Sequence, residues 1–441
     1  MHIEFQKLPE STIVFNFMPD SNDLGSRGGA KLGNTSCYFK LPTELDPDQI
    51  HPDILALAAL LVVSPWSGRE IELSWSISEA FAKSVRHNLK RQIGPVDLDL
   101  AARIQPDSKN SAPGVAFSGG VDSFAQLLIM PENTVSVFAH RIPREGDIYS
   151  PEAALTAVSA VQSTGGRAIS VETNMEYVRD PVGFSTDPMP GIPAILLADH
   201  FSLDSIAYGT ISNAAYGLGK GKFVDYTTRW VFRAWQSILK SVGLEYFNSV
   251  STLSEIGTMK VVQSSPFSEV AESCVRGTNN QPCRKCVKCF RKLLMRAYLD
   301  GHWPSDTDMA SFVKSAGLRD ELVELPIRQE FIYQQVLSTY NGDSEVLQLL
   351  KSRVDSTRTA TGFADSVYSP GFDLVTPKRY RDETWAKLTG FVRVMSVEEE
   401  RNFESFDLSD GVSELRNSED FEVYSSTVYL LWALLKLGDR E

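Results

Sequence analysis

The sequence is short of several things, and each shortage excludes a class of protein. Cysteine is rare: there are five in 441 residues, too few and too clustered for a disulfide framework. Long apolar runs are missing. The longest, ILALAALLVV at 54–63, stops well short of the roughly 20 residues a membrane-spanning helix needs, so no membrane partner is expected. The first residues, MHIEFQKLPE, hold no basic stretch followed by an apolar one. No secretory signal is therefore expected, and a cytoplasmic location is. Basic residues are outnumbered, and the formal net charge is −13. A general nucleic-acid binder needs a basic face, so that class is not expected either, although one local basic run exists. There is no internal repeat, no long low-complexity tract and no G-x-x-x-x-G-K-[ST] phosphate loop.

What is present is an ordinary globular composition, 42% hydrophobic and 22% charged, on a chain long enough for two or three domains. Residues 1–105 read as an α+β domain. HIEF, TIVFNF, CYFKL and EIELSWSI have the β-branched and aromatic enrichment of strands, and HPDILALAALLVV that of a buried helix. AARIQPDSKNSAPG reads as a polar linker. From 114 onward strands and helices alternate. GVAF, TVSVFAH, RAISVET and SIAYGTI are the strands; DSFAQLLIM, SPEAALTAVSAVQS and IPAILLADHFSLD are the helices between them. This is the pattern of βαβ units and a parallel sheet, which binds ligands beyond the carboxyl ends of its strands. Residues 229–300 are expected to be helical around a cysteine cluster. The region 303–441 is expected to be mostly helical, with a loop-rich middle. The fold class is therefore α/β: a parallel-sheet core at 112–300, an N-terminal α+β extension and a helical C-terminal extension.

The stretch FSGGVDS sits where the first strand of that core meets its first helix. Glycines permit positive φ and a close backbone approach. Successive N–H groups in such a loop form a concavity for phosphate oxygens, and the helix N-terminus favours the same charge. Ser118 and Ser123 add hydroxyls. Asp122 repels a phosphate unless a cation intervenes, and Mg²⁺ accepts oxygens from both groups. The plain alternative is a tight turn with a helix cap. His140 and Arg141 close the second strand, near the same edge of the sheet.

Cys274, Cys283, Cys286 and Cys289 follow in a C-x8-C-x2-C-x2-C spacing. Four soft sulfur ligands suit tetrahedral Zn²⁺ with no open position, so a structural zinc is expected. Free thiols and an iron–sulfur cluster are the alternatives. The flanking Arg276, Arg284, Lys285, Lys288, Arg291 and Lys292 offset thiolate charge. The same run could instead meet phosphates. Cys37 reads as a small core residue.

The loop resembles the pyrophosphate-binding loop of the PP-loop ATP pyrophosphatases, S-G-G-x-D-S, and matches it at Ser118, Gly119, Gly120, Asp122 and Ser123. Together with the downstream cysteines, over roughly 112–300, the chain is similar to 7-cyano-7-deazaguanine synthases. The resemblance implies that Ala116, Phe117, Ser118, Gly119, Gly120, Val121, Asp122 and Ser123 hold ATP, with Ser118, Asp122 and Ser123 at the chemistry. It implies Gly209 at the end of the fourth strand, Asp225 in a substrate loop, and zinc on the four cysteines. His140 joins the nucleotide set by its position. The implied reaction is ATP-dependent adenylation of a carboxylate such as 7-carboxy-7-deazaguanine, with release of pyrophosphate and transfer to ammonia or an amine.

The match has gaps. An arginine–asparagine pair of the family is replaced by Ile192 and Pro193, and a lysine by Glu255, which leaves Lys260 as the nearest spare cation. The chain is also about twice the family's length. The added regions read as dimerisation or stability elements, or as a cleft for a protein acceptor. The latter fits diverged, synthase-like proteins of antiphage defence. Two further readings are a PP-loop enzyme that modifies tRNA and a non-catalytic nucleotide-binding subunit of a defence complex.

Overall fold

The computed structural model describes residues 1–271, 274–277, 281–305, 308–309, 312, 315–355 and 359–437. At the N-terminus, alternation of apolar and polar residues builds strands β1 (His2–Leu8) and β2 (Thr12–Met18), which pair as an antiparallel hairpin. In β2 the alternation buries Ile13, Phe15 and Phe17 on one face. Two short strands, β3 (Ser26–Arg27) and β4 (Ala30–Leu32), lead to β5 (Ser36–Lys40), where Cys37 and Phe39 are buried and burial pushes the Cys37 thiol up. Helix α1 (Pro52–Val63) is apolar all round and so lies wholly in the interior. Its buried Asp53 accepts hydrogen bonds from Ser78 N (2.8 Å) and Ser78 Oγ (2.7 Å), which joins α1 to the end of β6 (Glu70–Ser78). Helix α2 (Glu79–Leu89) and strand β7 (Gln92–Asp97) complete this region.

The core then runs β8 (Ala112–Ala116), α3 (Val121–Ile129), β9 (Val135–Arg141), α4 (Glu152–Ser163), β10 (Arg167–Thr173), β11 (Arg179–Asp180), α5 (Ile192–Leu196), β12 (Leu203–Ala207), α6 (Ser212–Ala215), α7 (Trp230–Ser241), β13 (Glu245–Phe247), α8 (Glu255–Gln263) and α9 (Val287–Asp300). The main sheet has ten strands in the order β13-β12-β8-β9-β10-β5-β2-β1-β6-β7. From β13 to β10 every pairing is parallel. Counted from β8, the five core strands stand in the order 5-4-1-2-3, a doubly wound arrangement. The order reverses between β8 and β12, and the crevice beyond their carboxyl ends is where such sheets bind ligands. β11 pairs with β4 in a separate three-stranded sheet.

Two features differ from the expectation. The N-terminal strands continue the core sheet, because β5 pairs antiparallel with β10, setting Lys40 opposite Glu172 and Phe39 opposite Thr173. The helix expected over IPAILLADHFSLD ends at Leu196. The next turn is taken up by Asp199, whose carboxylate accepts from His51 N (3.0 Å) and from the buried Arg103 Nε (2.6 Å). Arg103 also donates to the carbonyls of Val242 and Leu203, so the polar linker is anchored through its one buried cation.

Beyond α9 the described chain is mainly helical, ending in Glu419–Leu437. No helix among the described residues is long and apolar enough to cross a membrane. This region is tied to the sheet through Asp204 in β12, which has no solvent exposure. Its carboxylate accepts from Ser111 Oγ (2.8 Å), Tyr380 OH (2.7 Å) and the Arg379 guanidinium. Asp204 is buried but the Arg379 side chain is 30% exposed, so what Asp204 contributes is hydrogen bonds to a buried carboxylate, each about 1.5–3 kcal/mol. Asp204→Ala is therefore expected to lower unfolding stability by about 2–3 kcal/mol in urea titration. A change within experimental error would show that the C-terminal helices are held by other contacts.

Candidate functional site

At the end of β8, Phe117 N donates to Val137 O (2.9 Å) and keeps the chain beside β9 before it turns. Gly119 has φ +71°, a left-handed value. A Cβ there would lie 2.8 Å from Ala157 Cβ and 3.0 Å from Ala154 Cα, so α4 closes off any side chain. Gly120 is extended and heads α3 without a side-chain cap. The first-turn N–H groups of α3 therefore have no internal side-chain anion. Ser123 Oγ donates to Gly120 O (3.0 Å) and accepts from Ser118 N (3.3 Å) and Ser118 Oγ (3.1 Å). The Ser123 hydroxyl thus staples the loop, while Ser118 lies on the open side.

Across the crevice, Gly209 follows β12. A Cβ at Gly209 would stand 3.1 Å from Ser123 N and 3.2 Å from Asp122 C, so the two backbones nearly touch. Beside this near-contact opens a cavity of about 480 Å³. Ala116, Phe117, Ser118, Gly120, Asp122 and Ser123 line one side, with Tyr208, Gly209 and Thr210 opposite. Gly119 and Val121 lie behind this surface, Val121 in the core.

The charges of the cavity are unevenly matched. Burial and the neighbouring Glu255 carboxylate push Asp122 up to about 6, against a hydrogen bond from Thr258 Oγ1 (2.7 Å) and the pull of Lys292 and Lys288. Lys288 lines the cavity. Arg141 lines it too, held by Glu176 (2.6 Å) with its guanidinium 3.9 Å from the Tyr149 ring centre. Burial pushes Glu176 up, opposed by Arg141. Tyr208 is 2% exposed, and its hydroxyl has no hydrogen-bond partner among the described residues. Burial raises its pKa, so this hydroxyl stays protonated as an unpaired group closed off from solvent, packed against Gly191. The lining thus offers backbone N–H groups and two cations, Lys288 and Arg141, beside three carboxylates, Asp122, Glu176 and Asp187.

Three residues expected at the site lie elsewhere. His140 is outside the lining; its ring stacks on Phe138 at 5.8 Å, and burial lowers its pKa. Asp225 caps the turn Tyr226–Thr228 by accepting from Thr227 N (2.9 Å). Lys260 is not a spare cation, because Asp365 pairs with it at 2.9 Å. Conversely, Tyr208 and Thr210 flank Gly209 in sequence, which was signal enough to find them. Tyr149 and Glu176 come from connecting segments and carried no local signal.

The four cysteines converge. Their sulfurs all lie within 4.8 Å of one another, with Cys286 to Cys289 at 3.4 Å and Cys283 to Cys289 at 3.8 Å. A tetrahedral ion with Zn–S bonds of about 2.3 Å separates its sulfurs by about 3.8 Å, so the set fits a single zinc ion. An iron–sulfur cube needs its cysteines spread around a larger body. Cys286 caps α9 and Cys289 sits in its first turn, so helix geometry presents both to one point. Hydrogen bonds from the Cys286 and Cys289 thiols push Cys274 strongly down. The cysteine loop is also part of the cavity wall: Cys274 and Val275 line it, and Val275 O accepts from Ser150 N (2.9 Å).

The model of a family of unknown function, DUF6395, matches residues 234–407. That span takes in the cysteines and most of the described C-terminal helices, but not the 118–123 loop. No curated protein and no solved structure matches the chain.

Native mass spectrometry is expected to find one zinc ion per chain, lost in Cys289→Ser; a chain purified with no bound metal would refute the assignment. A second prediction concerns Asp122. Without added divalent cation its folded pKa lies above its usual value. Between about pH 4 and 6 the unfolded chain releases this proton first, so this group's contribution makes stability fall as pH rises through that window. Asp122→Asn should therefore gain in melting temperature relative to wild type across that range. A difference that stays flat with pH would refute the shift.

Proposed function

We propose that the chain is a PP-loop ligase that binds ATP in the crevice between β8 and β12 and adenylates a carboxylate. The observation that carries this reading is the complete S-G-G-x-D-S run, Ser118 to Ser123, at the carboxyl end of β8 beside the reversal of strand order. The loop backbone and the first turn of α3 would receive the pyrophosphate part of ATP. Lys288 and Arg141 would offset its charge. Asp122, oriented by Thr258, would hold Mg²⁺, which supplies neutralising charge across the phosphates. The zinc on the four cysteines would fix the wall formed by Cys274 and Val275 and take no part in the chemistry.

In the first step a carboxylate oxygen bonds to the α-phosphorus of ATP, and the bond from that phosphorus to the pyrophosphate oxygen breaks. In the second an amine nitrogen bonds to the acyl carbon, the carbon–oxygen bond to AMP breaks, and the nitrogen gives up a proton. With ammonia the product is an amide. Adenylation of the amide oxygen by a second ATP, then loss of AMP and protons, gives a nitrile. The proposed acid is 7-carboxy-7-deazaguanine or a close analogue, and the proposed amine belongs to a protein or is ammonia. The protein's contribution is positioning and electrostatic stabilisation of phosphate charge.

Carboxylate-dependent exchange of labelled pyrophosphate into ATP tests the first step. Exchange is expected with the wild-type chain and should fall by roughly a hundredfold or more in Asp122→Asn, the scale at which loss of one electrostatic contact acts. ATP binding without exchange for any carboxylate would favour a nucleotide-binding subunit instead. Intact-mass analysis with the acid, ATP and an amine then separates amide on a protein from free nitrile.

A further inference from the structure

Cys274 belongs to two sites at once. Its sulfur stands with those of Cys283, Cys286 and Cys289, and the residue also lines the cavity beside Val275. The wall segment that it anchors has little packing of its own, since Val275 is 50% exposed and Arg276 is exposed as well. Specific ties hold it instead. Cys283 N donates to Cys274 Sγ (3.4 Å), and Ser150 N donates to Val275 O (2.9 Å), which joins the wall to the start of α4. Metal–sulfur bonds would complete the anchor. The ligand loop is itself under constraint: Arg284, between Cys283 and Cys286, has φ +48°, a left-handed value for a residue with a side chain. The four sulfurs are not equally placed. Cys274 and Cys289 are buried, whereas Cys283 and Cys286 are half-buried. Cys286 and Cys289 stand 3.4 Å apart, nearer than Cys283 and Cys289 at 3.8 Å, and they share the first turn of α9. A C-x2-C pair at a helix start is the spacing that closes a disulfide within one turn.

We propose that Cys286 and Cys289 form a hydroperoxide-sensitive pair whose oxidation frees the metal ion and with it the Cys274 wall of the cavity. The oxidation step stands on the cysteine geometry, and only its effect on ATP rests on the nucleotide reading above. Cysteines that ligate a metal are already thiolates. Cys286, the more accessible of the pair, attacks one peroxide oxygen. An S–O bond forms, the O–O bond breaks, and hydroxide leaves to take a proton from solvent. The Cys289 thiolate then attacks the Cys286 sulfenic sulfur. The S–S bond forms, the S–O bond breaks, and a second hydroxide takes a second proton. Two electrons pass from the two sulfurs to one peroxide, which becomes two waters. Cys274 and Cys283 are then the remaining ligands, too few for a four-coordinate zinc. The new bond lies within α9 and does not hold Cys274, so the wall segment loses its anchor. The Arg291–Glu255 pair does not depend on the metal, so α9 stays seated on α8 while the wall loosens.

The test treats the zinc-loaded full chain with hydrogen peroxide. Zinc release is read with a chromogenic chelator, the disulfide by peptide mapping, and the wall by hydrogen exchange of the peptide that holds the Ser150 amide. Release of the zinc is expected together with a Cys286–Cys289 disulfide, and dithiothreitol with added zinc should reverse both. Exchange at Ser150 should become roughly tenfold faster on oxidation. Cys286→His keeps four ligands, because histidine also binds zinc, and should slow peroxide-driven release by roughly tenfold or more. Circular dichroism and zinc content check that variant, and mapping of the wild-type chain decides the question even if the variant fails to load zinc. The proposal is overturned if peroxide leaves the four cysteines reduced or if the disulfide formed includes Cys274. A Cys286–Cys289 disulfide with unchanged exchange at Ser150 would overturn it as well. Binding of α,β-methylene-ATP is expected to weaken by roughly tenfold on oxidation, and equal binding to both forms would refute the link to the crevice. An analogue that binds neither form would remove the nucleotide reading and leave the redox step standing.

Discussion

The near-contact between two backbones, at Gly209 and at the start of α3, is the constraint from which the site follows. β8 and β12 are neighbours in the sheet, yet the chain leaves them in opposite directions. A crevice opens only if nothing fills the space between their exits. At Gly209 the two backbones meet only because there is no Cβ, which would stand 3.1 Å from Ser123 N, and the crevice opens beside that contact. β12 has further duties. All five of its residues are buried, Asp204 holds the C-terminal helices, and Tyr208, just past its end, closes the cavity. One short strand thus fixes the crevice, its wall and the docking of Arg379 and Tyr380, 175 and 176 residues further on.

Helix α9 is the second organising element. Cys286 and Cys289 take it to the metal point, Lys288 to the cavity, and the buried Arg291 to Glu255 of α8 at 2.6 Å. Arg291 holds Glu255, but the carboxylate still acts on Asp122. A change at the cysteines would therefore be felt through one rigid helix at a cation and a carboxylate of the cavity. The basic residues around the cysteines are not interchangeable charge compensation. Lys288 and Arg291 have separate destinations, set by helical spacing.

What the sequence made legible was local. The strand–helix alternation from 114 onward, the glycine loop and the C-x2-C pairs are patterns within a few residues, and the fold reproduces them. The parts that escaped depend on distant partners. Lys260 looks free until Asp365, 105 residues away, pairs with it. Asp225 looks like a substrate ligand until its side chain is seen closing its own turn. At the end of β9, Phe138, Ala139 and Arg141 line the cavity, whereas His140, stacked on Phe138, does not. The pairing of β5 with β10 has no short-range signature at all. The continuity of the ten-stranded sheet is accordingly the least predictable feature of the fold.

That continuity has a consequence for synthesis on the ribosome. The strands up to β7 are complete once Asp97 has emerged, but β5 then has an unpaired edge, because its partner β10 begins only at Arg167. At roughly 5–20 residues per second the gap lasts several seconds or more. During that interval the edge is a template for any other extended chain. The nascent protein is most exposed to mispairing in this window, and a chaperone that engages it would find β5 before the 118–123 loop has its sheet.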